Sequence, residues 1–394
     1  MTRRPPRLLF YSHNGVGVGH FRRQLRLAEA FRRHRPDAEL LLITGSHAAG
    51  AFAGPLGFDY VSLPSIRMVD RYETWEPRQL GLPIRELMRM RADLLRRTVR
   101  RFRPDLLIAD FIPAGPYGEL LGALEELAAG GGRAVAGFRD IVDEPAFVRA
   151  LWERTGVYEV LEEHYAAIFV YGSPVVTDFE AAYGVRGELA SRLHYVGYLG
   201  RPEQSAAPTR PRGEPPFLIA CSGGGVDGGA LLTTFIDATR ALHPRLGGTR
   251  LVVGGPLLAD EELRALRRRA GRARLEVSRF IPELDRHIAA SDLVVAMPGY
   301  NTACELLSSQ ARAVVVPRWG PSLEQRLRAA HLERWGRAVV LEPTDLDPRV
   351  LAEVIEAALR MPPPPPPPVP LDGLERSVTA LEALASGASA TVGS

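Results

Sequence analysis

The sequence predicts an α/β fold: two Rossmann-like domains whose parallel sheets face a central cleft. Three observations carry that expectation. Short apolar runs alternate with helical patterns from end to end, the pattern of strands joined through helices. A glycine-rich stretch comes after the first apolar run of each half, at 15–19 and at 223–225, where a parallel strand hands over to its first helix. Between them, 201–216 turns proline-rich and loses apolar periodicity, as an interdomain linker does.

Taken in order, the runs 8–11, 40–43, 106–109, 134–138 and 168–170 predict the strands of a domain over 1–200. The runs 217–220, 251–253, 293–296 and 314–316 predict those of a second domain over 217–361. Each is short and apolar throughout, as a strand buried on both faces requires. The proline tract 362–368 is a stiff extended spacer, 371–385 reads as a helix and 387–394 as a tail, so that 362–394 forms a terminal segment of its own.

With 394 residues, 46% of them hydrophobic, the chain can build two cores. All 49 basic residues are arginine. Without lysine there is no Schiff-base amine and no lysine-bearing phosphate loop, which excludes lysine-dependent aldolases and the common nucleotide kinases. A formal charge of +3 is small for this length, and the arginines lie along helical stretches, as Arg22, Arg23, Arg26, Arg32 and Arg33 or as Arg267 to Arg269. Such runs read as solvated helix faces. A peripheral contact with anionic lipid is compatible with them; nucleic acid is not an expected partner, since no aromatic residues interleave with the charge. Cys221 and Cys304 are too few for a disulfide framework and lack metal spacing. The N-terminal apolar run is too short for a signal peptide and no apolar window of about 18 residues occurs after it, so a cytoplasmic protein is expected.

The stretch 291–325 is the most informative. Met297, Pro298 and Gly299 break the run before them, and Asn301 or Thr302 can cap the helix that carries Glu305. Free N–H groups at such a helix start bind phosphate, and Gly299 lets the phosphate approach. One turn further in, the Glu305 carboxylate can accept both hydroxyls of a ribose. Ser222, Gly223, Gly224 and Gly225 contain more glycine than a turn requires and form a nest of N–H groups suited to a diphosphate. In the first half, Gly15, Gly17 and Gly19 open a helix, but the third glycine of a dinucleotide fingerprint falls at His20. The second strand also ends in Thr44, Gly45 and Ser46 without a ribose-binding acid. That loop therefore reads as facing phosphate or acceptor. His20 is either a general base, kept neutral by the helix N-terminus, or a capping group, and His13 is a second candidate. Asp110 and Asp140 each end a strand, and either can be a base or a turn cap.

The glycine loop with His20, and the segment carrying Gly299 and Glu305, resemble the motifs of family 28 glycosyltransferases, the group of the peptidoglycan GlcNAc transferase. They resemble more closely a loosely defined bacterial group of predicted glycosyltransferases related to it. The resemblance implies the GT-B architecture, with acceptor binding in the first domain, nucleotide-sugar binding in the second and a terminal helix that returns to the first. It also implies that 222–225 touches the donor diphosphate, that Ile281 lies against the base, and that Glu324 and Gln325 contact the sugar. Pro298, Tyr300 and Asn301 depart from the small or apolar residues usual in the peptidoglycan enzyme, which speaks against its acceptor. Asp345 and Asp347 form a DxD triplet, but Asp347 precedes Pro348 at a helix start, where capping explains it, and no metal is expected.

The expected function is transfer of a hexose from a UDP-sugar, or another NDP-sugar, to a small-molecule or lipid-linked acceptor. Inversion is expected, with no cofactor beyond the donor co-substrate. The run GVGHFRR also resembles the start of a UDP-sugar hydrolase, with water as acceptor, and a non-catalytic nucleotide-sugar binding module is a third reading.

Overall fold

A computed structural model describes residues 4–13, 17–200, 208–211, 213–271, 275–320 and 322–388. Gly15, half of the linker 201–216 and most of the tail 387–394 lie outside the described residues. The chain divides into two units, Met1–Leu199 with Asp372–Ser394, and Gly200–Leu371.

In the first unit the strands are β1 (Arg7–Ser12), β2 (Glu39–Thr44), β3 (Asp59–Ser62), β4 (Ile66–Met68), β5 (Trp75–Pro77), β6 (Leu106–Asp110), β7 (Arg133–Arg139), β8 (Tyr165–Tyr171) and β9 (Leu193–Tyr195). All but β4 and β5, which pair as an antiparallel hairpin, form one parallel sheet in the order β3-β2-β1-β6-β7-β8-β9. β1 and β6 lie side by side with Ser12 opposite Asp110. From β1 the chain runs through the helix Gly19–His34 to β2 on one side, and from β6 through Leu121–Ala129 to β7 on the other. The two connections diverge at the carboxyl ends of β1 and β6, which makes that point the natural binding crevice of the sheet.

The second unit repeats the plan with β10 (Phe217–Cys221), β11 (Thr249–Val253), β12 (Leu275–Ser278), β13 (Leu293–Ala296), β14 (Arg312–Val315) and β15 (Val339–Val340), in the order β12-β11-β10-β13-β14-β15. Its strands diverge between β10 and β13, where Cys221 faces Ala296. Each apolar run of the sequence lies in a strand, apart from Val316, one residue past the end of β14. β3, β9, β12 and β15 are not legible in the sequence: they are short edge strands, and none of their residues is fully buried.

The terminal segment divides at 371. Residues up to Leu371 belong to the second unit, whereas the helix Gly373–Ala385 belongs to the first, where Gly373 N–H donates to the Tyr198 carbonyl at 3.0 Å and Arg35 reaches Glu382 at 3.0 Å. No helix among the described residues is long and apolar enough to cross a membrane.

Candidate active site

At the first switch point the side chains are charged. Asp110, the last residue of β6, is fully buried, and its Oδ2 lies 2.8 Å from Nδ1 of His20, the second residue of Gly19–His34. One turn on, Arg23 donates from Nε to Oδ1 at 2.9 Å and from Nη2 to Oδ1 and Oδ2 at 2.8 and 2.9 Å. A carboxylate oxygen so close to Nδ1 requires the proton on that nitrogen, which leaves the Nε2 lone pair as the basic site. Arg23 Nη2 also stands 3.1 Å from Nδ1, so the ring is held by an anion and crowded by a cation. Burial lowers the His20 pKa below its ordinary value; Asp110 opposes the shift, while Arg23 and Arg139 add to it. Burial, rather than the helix N-terminus, is thus the main reason the ring is neutral. Asp110 shows the reverse balance: burial pushes it up, but Arg23 and His20 outweigh burial and hold the carboxyl below the ordinary range.

The three base candidates therefore separate. Asp110 has both oxygens committed and no exposure, so it orients His20. Asp140 is 1% exposed; its Oδ1 accepts from the Ile141 N–H at 2.8 Å and its Oδ2 from the Tyr198 hydroxyl at 2.9 Å, which fastens the loop after β7. His20 keeps 15% of its side chain exposed. His13, just past β1, is buried, with its ring 4.8 Å from that of His20 and with no hydrogen-bond partner at Nδ1 among the described residues. Burial, then the neighbouring His20 and Arg91, holds its pKa well below the usual value. Arg91, in a fully buried pair with Glu119, also reaches the His13 carbonyl at 3.4 Å. Gly17 takes φ +73, a conformation side chains seldom adopt, and Gly19 begins the helix.

The second switch point is built from backbone. Ser222 Oγ donates to the Gly254 carbonyl at 2.6 Å, so its hydroxyl holds the loop and is not free for a phosphate. A Cβ on Gly255, at φ +100, would stand 2.5 Å from the nitrogen of Gly225, and this contact is what demands glycine at 255. The Gly225 N–H turns back to Ser222 O at 3.4 Å, whereas no carbonyl among the described residues takes the N–H of Gly223 or Gly224. The nest is narrower than the sequence suggests and consists of those two groups. After β13, Gly299 is itself the N-cap of Tyr300–Leu307, and Asn301 and Thr302 lie within the first turn. Capping by either is corrected: Pro298 and Gly299 have already turned the chain. At φ −64, with open space around a built Cβ, neither backbone nor packing requires glycine at 299, and access to the helix start is what it provides.

Glu305 is buried one turn into that helix. Glu324 and Gln325 open the helix Glu324–Arg334, and both are tied. Glu324 Oε2 accepts from Nη1 and Nη2 of Arg328 at 3.1 Å each, and Arg328 Nη1 also donates to the Pro298 carbonyl at 3.0 Å. Gln325 Oε1 accepts from the Arg318 N–H at 2.9 Å, and Arg318 pairs with Asp227 at 3.0 Å. Ile281 is half-buried three residues beyond β12. Asp347 caps Pro348–Arg360 by accepting from the Arg349 N–H at 2.8 Å.

Arg23 and Arg328 are the residues of these two sites that sequence reasoning misses. The sequence groups Arg23 with a solvated face, yet it is 2% exposed. The available signal is its place on the apolar stripe of the helix, three residues from His20 and four from Leu27. Arg267 to Arg269, by contrast, are solvated as expected.

Residues 251–366 match the model of the glycosyltransferase family 28 C-terminal domain. A UDP-N-acetylglucosamine–N-acetylmuramyl-(pentapeptide) pyrophosphoryl-undecaprenol N-acetylglucosamine transferase of Methylobacterium sp. (strain 4-46) is 31% identical over 198 residues, 48% of this chain and 53% of the relative. The chain thus spans about half the length of that curated relative. Among solved structures, the calicheamicin glycosyltransferase CalG4 superposes with a TM-score of 0.57 at 14% identity, covering 98% of this chain and 96% of the other. MurG of Acinetobacter baumannii gives 0.53 at 15% identity, over 90% and 91%. At such identities the likeness is one of fold.

Proposed function

We propose that the chain is a family 28-like glycosyltransferase, a reading supported by the match over 251–366 and by its likeness to solved GT-B folds, and that it transfers a hexose, with inversion and without a metal, from a UDP-sugar to the hydroxyl of a small-molecule or lipid-linked acceptor. The observation that carries the reading is His20: a neutral, part-exposed imidazole whose Nδ1–H is committed to a fully buried Asp110, so that Nε2 is left to take a proton. As the acceptor oxygen bonds the anomeric carbon, its proton passes to Nε2, and the bond from that carbon to the diphosphate breaks with its electron pair on UDP. The N–H groups of Gly223 and Gly224 and the start of Tyr300–Leu307 receive the diphosphate charge. Glu305 accepts the ribose hydroxyls, Ile281 lies against the base, and Glu324 and Gln325 hold the sugar. Peripheral attachment to a cytoplasmic membrane surface belongs to the lipid-linked form of this proposal.

The test is incubation with a panel of UDP-sugars, with and without acceptors, in excess EDTA. UDP release that depends on an acceptor and survives EDTA is the expected result. Stoichiometric free sugar without acceptor would instead make the protein a hydrolase, and a requirement for manganese or magnesium would overturn the metal-free mechanism.

A further inference from the structure

Around His20 the walls are aromatic. Its ring centroid is 5.1 Å from that of Phe111, which is 5.4 Å from Tyr72, which is 6.4 Å from Phe147; on the other side His13 meets Trp75 edge-on at 5.5 Å. Phe111 and Tyr72 hold φ values of +74 and +75, a left-handed conformation that bulky residues seldom adopt, and the ring of each lies in this cluster. The Arg139 guanidinium lies 4.5 Å over the Phe111 ring and donates to the Tyr72 hydroxyl at 3.2 Å, stiffening the same wall. Beside Phe147, Asp143 is fully buried in a pair with Arg71 at 2.5 Å. A site for a saccharide needs side chains that exchange hydrogen bonds with several hydroxyls. This one offers flat rings, with Phe111 buried and Tyr72 half-buried, and inside them Nδ1 of His13, a buried nitrogen without a hydrogen-bond partner among the described residues.

The base itself is a weak one. In a His–Asp pair the carboxylate stabilises the imidazolium that forms as the proton arrives. Here Arg23 binds both oxygens of that carboxylate through Nη2, and the same Nη2 stands 3.1 Å from His20 Nδ1, opposing the new positive charge. A weakened base has little driving force against an aliphatic hydroxyl, whose pKa lies far above neutrality, near that of water. It has far more against a phenol, at about 10 as in tyrosine.

We infer that the acceptor is a planar, apolar molecule whose attacking hydroxyl is itself acidic, a phenol or an enol, held against Phe111 and Tyr72 with a neighbouring polar group on His13 Nδ1. This rests on the reading of His20 as the base of glycosyl transfer. The phenolic proton goes to His20 Nε2, the phenolate oxygen forms the glycosidic bond, and UDP leaves with the electrons of the bond it loses.

The experiment compares acceptors of matched size on the full-length protein with a panel of UDP-sugars: substituted phenols and naphthols, their saturated cyclic alcohols, and methyl glycosides. The expected result is kcat/KM for the phenols about 100-fold or more above the saturated alcohols and the glycosides. A Phe111→Leu variant should raise KM for naphthol about tenfold and leave UDP affinity unchanged. Equal or better transfer to saturated alcohols or glycosides overturns this inference and leaves the transferase reading standing. If no glycoside of any class forms with any donor, both fall. If Phe111→Leu binds naphthol as the parent does, the aromatic wall is not the acceptor site.

Discussion

The two switch points occupy equivalent places in two similar sheets, yet one is made of side chains and the other of main chain. Between β1 and β6, Asp110, Arg23 and His20 form a buried ionic group that fixes a tautomer. Between β10 and β13, the N–H groups of Gly223 and Gly224 are taken by no carbonyl among the described residues, Gly299 opens a helix start, and Gly255 packs behind the glycine loop. On the proposed function, one architecture divides its labour by chemistry. Moving a proton needs a titratable group whose surroundings set its pKa, whereas receiving a diphosphate needs fixed dipoles that never change charge.

The largest expected effect tests the side-chain half. His20→Ala should lower kcat by roughly 10² to 10⁴ with UDP binding nearly unchanged, measured by steady-state kinetics beside calorimetry. Near-normal kcat would return His20 to a capping role, and a loss of UDP affinity instead would erase the division between the two sites.

The backbone half is tested by two glycines with opposite expectations. Gly255→Ala adds a Cβ 2.5 Å from Gly225 N at a φ of +100, and should cost about 2 to 4 kcal/mol of stability in denaturant titration. Gly299→Val meets open space at φ −64, so it should leave stability within about 0.5 kcal/mol and yet weaken UDP binding about tenfold. Unaltered UDP affinity in that variant would remove the start of Tyr300–Leu307 from the diphosphate site.

Glu305→Ala should weaken UDP by roughly 1.5 to 3 kcal/mol with the fold intact, the scale of a lost charge-assisted hydrogen-bond pair. A deoxyuridine diphosphate control isolates the ribose: if the variant still distinguishes the two nucleotides, the ribose is read elsewhere.

The smallest effect is in the pH profile. His20 faces Asp110, Arg23, Arg139 and His13, and the net result is a lowered pKa. Protonation abolishes the base, so kcat/KM should fall on the acid side with a midpoint below the ordinary histidine value of about 6.5 and stay level through neutrality. A midpoint at or above 6.5 would mean that burial, with Arg23 and Arg139, does not outweigh Asp110.

Apolar runs and punctuation are enough to set the two-sheet plan, because a strand buried on both faces must be apolar at every position, and Gly and Pro mark where it stops. They also place His20, Gly299 and the glycine loops, since the turn at the end of a strand is governed by its own local chain geometry. Which neighbour each side chain meets is settled by the tertiary structure alone. Asp110 and Asp140 read alike in sequence, both as acids ending strands. One faces an arginine and a histidine from the helix after β1, the other a tyrosine hydroxyl from the chain after β9. Arg23 reads as solvent-facing until a carboxylate 87 residues away is brought beneath it. Ser222 and Gly225 read as phosphate ligands until the loop after β11 packs against them. Periodicity reports which face of an element is buried, but pairing between distant elements is set by sheet order, which leaves no mark in the local sequence.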